Sequence, residues 1–247
     1  MTHSVLFPLP DRGFDITETA VPWKILSDAG LRVVFATEAG GSTPEADPTL
    51  FGGPLFGTLG AKPEPIAWYR EMETAPAFQT PISWKGLKAQ DYAGLFLPGG
   101  HAPGMKPYLE SVELQQLAAR FVRQDRPVAA ICHGVLVLAR AVDDQGPLLA
   151  GRKCTCLPRY MERSAWWLTR WQMGDHYRTY PAWVQDEVEA ATDGFQRGPI
   201  SLVRRGTSDD HSAAFVVVDA NLQTARWPGD AYLIAERFAS ICVGDPH

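Results

Sequence analysis

The sequence lacks any long uninterrupted hydrophobic run. Its longest apolar stretches, Val128–Cys132 and Ala213–Val218, are far shorter than the roughly 20 residues of a membrane-spanning helix. The first residues, Met-Thr-His-Ser-Val-Leu-Phe, carry neither the basic region nor the long apolar segment of a signal peptide. These features predict a cytoplasmic protein that does not bind a membrane.

Positive charge is also scarce. The chain has 23 Lys and Arg against 28 Asp and Glu, which gives a net charge of -5, and no dense basic run is present. Binding to nucleic acid depends on clustered cations that neutralise phosphates. We therefore expect no nucleic-acid partner.

Cysteine is sparse too, with four in 247 residues. Four cysteines spread over a chain of this size do not form the framework of a disulfide-rich protein. The pair Cys154-Thr-Cys156 has the wrong spacing for a zinc site and has no second pair to complete one. The thiols are expected to be reduced, and no metal is predicted.

Strand-like and helix-like segments alternate along the chain, of which 45% is hydrophobic. This alternation is typical of an α/β protein with a mostly parallel sheet and helices on both faces. One domain over residues 1–247 is the expected organisation. The expected segments are Val5–Pro8, Ala20–Ala29, Leu31–Thr37, Gly94–Leu97, Val112–Arg123, Val128–Ile131, Val135–Ala141, Lys153–Cys156, Phe215–Val218 and Asp230–Ile241.

Two stretches interrupt the alternation. Residues 40–93 are rich in Pro and Gly, hold one clear helical piece at Glu64–Glu73, and are expected to wrap over the surface. Residues 159–206 contain four tryptophans, at positions 166, 167, 171 and 183. Their aromatic density favours a cap or a subunit contact, and buried core explains it equally well.

The most distinctive local feature is an apolar strand, Val128–Ile131, that runs directly into a helix with Cys132 at the junction. Such a side chain lies on a tight, strained turn and projects from the carboxyl edge of a sheet. The start of the following helix offers positive potential and free N–H groups, which would lower the thiol pKa below its usual value of about 8.5. Taken alone, a cysteine before a helix is more often inert core packing.

Two further segments would meet this turn at the same edge of the sheet. Pro98-Gly99-Gly100 ends a strand, and the N–H of Gly99 or Gly100 could pair with that of His133 to hold an oxyanion. An ordinary strand-end turn would use the same glycines. Glu18 enters the first helix after the first strand, where a surface charge matched to the helix dipole is the simpler interpretation.

Together, these segments resemble the ThiJ/PfpI superfamily of class I glutamine amidotransferase-like folds. The resemblance rests on the Glu18 loop, Leu-Pro-Gly-Gly-His at 97–101, Ala-Ile-Cys-His-Gly at 130–134 and Ala-Arg-Trp-Pro-Gly-Asp at 225–230, and it spans nearly the whole chain. It is strongest to the branch of heat-shock chaperone and glyoxalase III proteins. It implies a flavodoxin-like, doubly wound fold with two surface insertions, and a homodimer.

The resemblance also implies roles for individual residues. Cys132 is the expected nucleophile, His133 its neighbouring base, and Glu18 a buried acid hydrogen-bonded to the thiol. The branch has a third triad acid about 30 residues beyond the cysteine, and Glu162 is the match, although the Trp-rich stretch around it departs from the chaperone pattern. No cofactor and no metal are implied.

The leading functional hypothesis is a cofactor-independent enzyme that converts a small 2-oxoaldehyde into the hydroxy acid. Cys132 would add to the aldehyde, and Glu18 or His133 would move the proton between carbons. Hydrolysis of an amide or another C–N bond would use the same nucleophile. A third hypothesis is a holdase chaperone or redox sensor, in which the Trp-rich stretch binds exposed apolar chains and Cys132 oxidises.

Overall fold

Seven strands form the central sheet of the computed structural model, which describes residues 4–53, 57–201 and 204–244. Their spatial order is β6-β7-β5-β4-β1-β2-β3, and all neighbours are parallel except the antiparallel pair β6 and β7. The predicted mostly parallel sheet is confirmed. The strands are β1 (Ser4–Pro8), β2 (Arg32–Thr37), β3 (Ile82–Ser83), β4 (Gly94–Leu97), β5 (Val128–Ile131), β6 (Val216–Asp219) and β7 (Leu222–Ala225).

Helices surround this sheet, as expected for an α/β fold. One group packs together as α1, α2 and α9, and another as α5, α6 and α8. The α-helices of the described residues are α1 (Ile16–Asp28), α2 (Pro63–Glu73), α3 (Pro76–Gln79), α4 (Lys106–Leu109), α5 (Val112–Arg123), α6 (Val135–Ala139), α7 (Arg159–Met173), α8 (Val184–Ala191) and α9 (Ala231–Val243).

Helix α5 shows how the sequence sets an element. Its N-cap, Ser111, accepts a hydrogen bond from the N–H of Leu114, which satisfies one of the free donors of the first turn. Leu114, Leu117 and Phe121 recur at helical spacing and are buried. The predicted bounds of this helix, Val112–Arg123, are confirmed.

The short elements complete the description. Among the described residues, three pairs of short strands lie outside the central sheet. They are Arg12–Phe14 with Glu45–Ala46, Val142–Asp143 with Gly146–Pro147, and Lys153–Cys154 with Gly194–Phe195. Single 3-10 turns occupy Pro48–Phe51, Ala89–Asp91, Pro103–Met105, Cys132–Gly134 and Pro228–Asp230.

The structure differs from the sequence expectations at two strands: the strand expected at Lys153–Cys156 is shorter and lies outside the central sheet, and β7 was not predicted. Residues 153–156 do not join the central sheet, because Lys153–Cys154 pairs with Gly194–Phe195 instead. The place in the sheet beside β5 belongs to β7, whose sequence Leu-Gln-Thr-Ala carries no β-rich run to reveal it. The prediction missed this strand because packing inside the molecule, and not local propensity, determines it.

The stretch over residues 40–93 contributes more to the core than a surface wrap would. Tyr69, Met72, Phe78 and Trp84 from this stretch are buried, and β3 forms one edge of the central sheet. The prediction that the stretch wraps over the surface was therefore wrong for its second half, because these large side chains fill space against the sheet.

The stretch over residues 159–206 is mostly helical, with α7 and α8 inside it. None of the helices in the described ranges is long and apolar enough to cross a membrane.

Candidate active site

The strand order places three loops together at one edge of the sheet. β4 lies beside β1 on one side and β5 on the other, while β2 lies on the far side of β1, so the order reverses between β1 and β4. In open α/β sheets the crevice at such a reversal is the usual ligand site. The loops that follow β1, β4 and β5 carry Glu18, Gly99 and Cys132 respectively.

Cys132 lies on a strained elbow between β5 and α6. Its φ is 59°, in the left-handed region that residues other than glycine adopt at a cost of about 1–3 kcal/mol. Gly134 allows the turn to pack tightly, because a Cβ there would lie 2.6 Å from the carbonyl oxygen of Pro98. The backbone is thus held in a conformation that serves to position the side chain of Cys132.

The expectation of a lowered thiol pKa at Cys132 was wrong for this closed site. Burial raises the pKa of Cys132 well above its usual value, and the acids Glu18 and Asp15 raise it further. The N–H of His133 opposes these effects and lowers the pKa. The N-terminus of α6 does little to lower the pKa of Cys132, because a helix of this length has a small dipole. The helix spans only Val135–Ala139, whereas the prediction extended it to Ala141.

Glu18 is the buried acid beside the thiol. Asp15 caps α1 by accepting hydrogen bonds from the N–H groups of Thr17 and Glu18, and this turns the Glu18 side chain inward. Its Oε2 accepts a hydrogen bond from the N–H of Gly99 at 3.0 Å. Burial raises the pKa of Glu18 well above its usual value, and Asp15 adds to the rise. Burial therefore favours the neutral form of this carboxyl.

Gly99 lies between the acid and the nucleophile. A Cβ at this position would lie 2.7 Å from Glu18 Oε2, 2.8 Å from Cys132 Cβ and 2.8 Å from His133 N. The N–H of Gly99 is already bonded to Glu18, so it is not free to hold an oxyanion. The backbone donors left from the predicted set are those of Gly100 and His133.

His133 approaches the thiol through its Nδ1, which lies 3.5 Å from Cys132 Sγ. Its Nε2 lies 3.3 Å from Thr179 Oγ1, and the Thr179 hydroxyl donates to the carbonyl oxygen of His101 at 2.7 Å. Because that hydroxyl proton is used, Oγ1 accepts from Nε2–H, which leaves Nδ1 unprotonated and facing the thiol. Burial, with the positive charge of Arg140, lowers the pKa of His133 well below its usual value.

Glu162 lies behind His133, at the start of α7. Its Oε1 is 3.8 Å from His133 Nε2, and its Oε2 accepts a hydrogen bond from the N–H of Val184 at 3.0 Å. Burial raises the pKa of Glu162 to about 7, although the Val184 N–H lowers it. The four predicted side-chain positions, Glu18, Cys132, His133 and Glu162, thus converge on one buried site.

The sequence analysis missed the residues that cover this site. Thr179 and Tyr177 come from the loop between α7 and α8, and the ring of His101 lies 4.7 Å from His133 and 5.0 Å from Tyr177. His176, in the same loop, bonds to Asp47 at 2.7 Å and so ties the two inserted stretches together. Thr179, Tyr177 and His176 are far from Cys132 in sequence and lie in no motif, and His101, which ends the Leu-Pro-Gly-Gly-His segment, was given no role in the site.

Among residues 4–53, 57–201 and 204–244, no group of three or more His, Cys, Asp or Glu side chains is arranged to hold a metal ion. The four cysteines are free thiols, of which Cys242 is the most exposed.

Comparison with known proteins identifies the family. Residues 9–199 match the model of the family described as ThiJ/PfpI family-like, and the chain belongs to that family. An uncharacterised protein of Schizosaccharomyces pombe is 30% identical over 174 residues, which are 67% of this chain and 62% of that protein. The chain thus matches less than two thirds of that relative's length.

Other relatives bear functional names. A deglycase of Pyrococcus abyssi is 25% identical over 164 residues, covering 65% of this chain and 68% of the relative. The crystal structure of glyoxalase III from Candida albicans has a TM-score of 0.70 at 20% identity and covers 96% of both chains. At that identity the likeness establishes a common fold. A deglycase is thus one of the sequence relatives, and glyoxalase III is a protein with the same fold.

Proposed function

We propose that this protein is a cysteine-dependent enzyme that converts small 2-oxoaldehydes, such as methylglyoxal, into 2-hydroxy acids without a cofactor. The observation that carries the proposal is the convergence of Glu18, Cys132 and His133 in one buried site, where Glu18 Oε2 accepts a hydrogen bond from the N–H of Gly99 and His133 Nδ1 lies 3.5 Å from Cys132 Sγ. Isomerisation of an oxoaldehyde needs a group that moves protons between two adjacent carbons, and a neutral buried carboxyl is suited to this task.

The reaction begins at the sulfur. The Cys132 thiol adds to the aldehyde carbon, C1, and its proton passes through His133 Nδ1 to the aldehyde oxygen, which forms a hemithioacetal. The N–H groups of Gly100 and His133 hold the oxygen while it is negative.

Glu18 then protonates the oxygen on C2 and removes the hydrogen of C1 as a proton, which gives an enediol. It returns that proton to C2, and the C1 hydroxyl gives its proton to Glu18, which restores the neutral carboxyl and leaves a thioester. C1 is thus oxidised and C2 reduced within one molecule, so no external oxidant is needed. Water hydrolyses the thioester, releases the 2-hydroxy acid and restores the thiol.

Burial of the site supports a small substrate. Cys132 is 1% exposed, and Glu18 and His133 are fully buried. A closed site of this kind excludes bulk water from an enediol that would otherwise decompose. The similarity of the fold to glyoxalase III of Candida albicans is consistent with this chemistry.

A second candidate is hydrolysis of a C–N bond. It is favoured by the approach of Glu162 to His133, because a cysteine, a histidine and an orienting acid form the usual hydrolytic triad. The match to the deglycase of Pyrococcus abyssi points in the same direction.

One experiment separates the two candidates. Purified protein is incubated in heavy water with methylglyoxal, and in parallel with a panel of amides. We expect lactate that keeps the substrate hydrogen at carbon 2, because Glu18 returns the proton of C1 to C2 in a site closed to bulk water, and we expect no ammonia from the amides. Ammonia release without lactate would favour hydrolysis and would overturn the isomerase proposal.

A further inference from the structure

A cationic pocket opens beside the Glu18 side of the site. Its volume is about 570 Å³, and the residues that line it include Thr17, Lys62, Glu64, Arg205 and Tyr232. Thr17 directly precedes Glu18 in the first turn of α1, so the pocket reaches the element that presents the buried acid. A ligand in the pocket would therefore contact the helical turn that carries Glu18.

Arg205 is the residue that joins the pocket to the site. Its guanidinium interacts electrostatically with Asp15, Glu18 and Tyr177, although no acid of the described residues is within ion-pair distance of it. It donates one hydrogen bond within the described ranges, from Nη2 to the carbonyl oxygen of Thr58 at 3.2 Å. A guanidinium has five N–H donors, so most of its capacity remains for a ligand.

Two other donors near Arg205 have no partner in the described part of the chain. The Trp227 ring lies 5.3 Å from Arg205 Cζ, and its Nε1 is buried without a hydrogen bond. The Tyr177 hydroxyl is likewise buried without a hydrogen bond. Buried donors without partners are rare in folded proteins, and an unfilled ligand site is one explanation for them.

The remaining charges around the pocket leave it cationic. Glu64 accepts a hydrogen bond from the Tyr232 hydroxyl, so its charge is partly engaged. Arg204 is exposed and pairs with Asp210 at 3.6 Å, so its positive charge is already engaged outside the pocket's charge balance. Among the lining residues, Lys62 and Arg205 thus outweigh Glu64, and Asp15, which is not part of the lining, also interacts with Arg205. The loop is also fixed in place, because the N–H of Gly206 donates to the carbonyl oxygen of Gly229 at 2.8 Å.

We propose that Arg205 binds an oxyanion, a carboxylate or a phosphate, at the end of the substrate remote from the reacting carbonyl. This inference rests on the proposed function and deepens it: the preferred substrate is a 2-oxoaldehyde with an anionic tail, and methylglyoxal is a poorer analogue. A guanidinium with several free donors matches a carboxylate or phosphate in both charge and geometry.

The kinetic test measures kcat/KM of the wild-type protein for three 2-oxoaldehydes: methylglyoxal, one ending in a carboxylate and one ending in a phosphate. We expect kcat/KM for one of the anionic substrates to exceed that for methylglyoxal at least 10-fold. Arg205→Gln should lower that kcat/KM about 10- to 100-fold, the range expected for losing charge-assisted hydrogen bonds, and change methylglyoxal turnover less than about 3-fold. Arg120→Gln, an exposed arginine on α5, is the matched control.

A binding test separates failure of this inference from failure of the proposed function. Calorimetry with inorganic phosphate and with acetate is performed on Cys132→Ser and on Cys132→Ser combined with Arg205→Gln. Binding that requires Arg205 supports the anion site even if no oxoaldehyde is turned over. Cys132-dependent turnover with no preference for anionic substrates and no Arg205-dependent binding overturns the anion site alone. If Arg205→Gln does not fold, Arg205→Lys should retain only part of the preference, because lysine keeps the charge but not the planar set of donors, and a preference as large as that of the wild type in this variant overturns the inference.

Discussion

Glu18 and Cys132 occupy a buried position in which burial raises the pKa of both groups. Glu18 raises the pKa of the Cys132 thiol further, whereas a hydrogen bond with Cys132 lowers the pKa of Glu18. Two adjacent negative charges without solvent repel strongly, so the pair holds one negative charge at most near neutral pH. A proton on Glu18 is then available to hydrogen-bond the sulfur or to move to the substrate. The resting state of the site follows from this coupling.

Replacing Glu18 by Gln tests the coupling directly. Gln keeps an oxygen that can accept from the Gly99 N–H but cannot become negative, so the pKa of Cys132 should fall in the variant. We expect the thiolate absorbance to appear at lower pH than in the wild type, while turnover of methylglyoxal falls more than about 100-fold. Glu38→Gln, at an exposed position, is the control. A variant with an unchanged thiol pKa and full turnover would show that Glu18 does not act on the sulfur.

Glu162 predicts a pH dependence. Its pKa is raised to about 7 by burial, so it is protonated below that pH and ionised above it. An ionised Glu162 stabilises the positive charge that His133 acquires during proton transfer, so kcat/KM should rise as the pH increases through about 7. In Glu162→Gln this rise should disappear, whereas the exposed Glu113→Gln should retain it. The same rising limb in Glu162→Gln would assign it to another group.

At the scale of secondary-structure elements, the site depends on the close approach of the loop after β4 to the elbow after β5. Gly99 is the point of contact, since a Cβ there would meet Glu18 Oε2, Cys132 Cβ and His133 N within 2.8 Å. Two of these atoms belong to the elbow, which is fixed by its own strained turn and cannot move aside easily.

Gly99→Ala is therefore expected to displace the elbow. We predict a loss of about 1–3 kcal/mol in the free energy of unfolding, the range for overpacking a filled interior, and a loss of turnover. Gly52→Ala is the control, because no atom of the described residues lies within 4 Å of a Cβ there. Denaturant unfolding and methylglyoxal turnover measure the two effects, and a Gly99→Ala protein as stable and active as Gly52→Ala would contradict the packing described.

The elements differ in how well sequence could predict them. Val112–Arg123 and Val128–Ile131 were predicted with their true bounds, because a capped amphipathic helix and an apolar run carry their signal locally. β7 and the loop bearing Thr179 could not be predicted, because distant contacts place them. β7 bonds to a residue 69 positions away, and the loop bonds to one 78 positions away. The positions of Glu18, Cys132, His133 and Glu162 came from motifs, whereas Arg205 lies outside every motif.

At the scale of the whole molecule, the two inserted stretches differ in how far their large apolar side chains are exposed. Trp84 is core, whereas α7 presents an exposed apolar strip in which Trp167, Leu168 and Trp171 are 62%, 52% and 82% exposed. Tryptophan is enriched at the buried centres of subunit interfaces. This strip is the part of the Trp-rich stretch on which the expected homodimer would form, away from the elbow.

We predict a mass in sedimentation of twice the 27.2 kDa of one chain. Trp171→Glu should shift the protein towards the monomer, because a charge at the centre of an apolar contact loses its solvation. Val112→Glu, which changes an apolar residue 61% exposed on α5, should leave the mass unchanged. A wild-type monomer at micromolar concentration would remove the dimer.

Lactate formation from methylglyoxal by two matched cysteine variants tests whether Cys132 is the nucleophile of the proposed reaction. Cys132→Ser and Cys242→Ser each replace one thiol, and Cys242 lies on α9, at a position the mechanism does not use. We expect Cys242→Ser to retain wild-type turnover. We expect Cys132→Ser to fold with a similar melting temperature and to form no lactate above the uncatalysed rate. Equal lactate formation by Cys132→Ser and the wild type would contradict the assignment of Cys132 as the nucleophile.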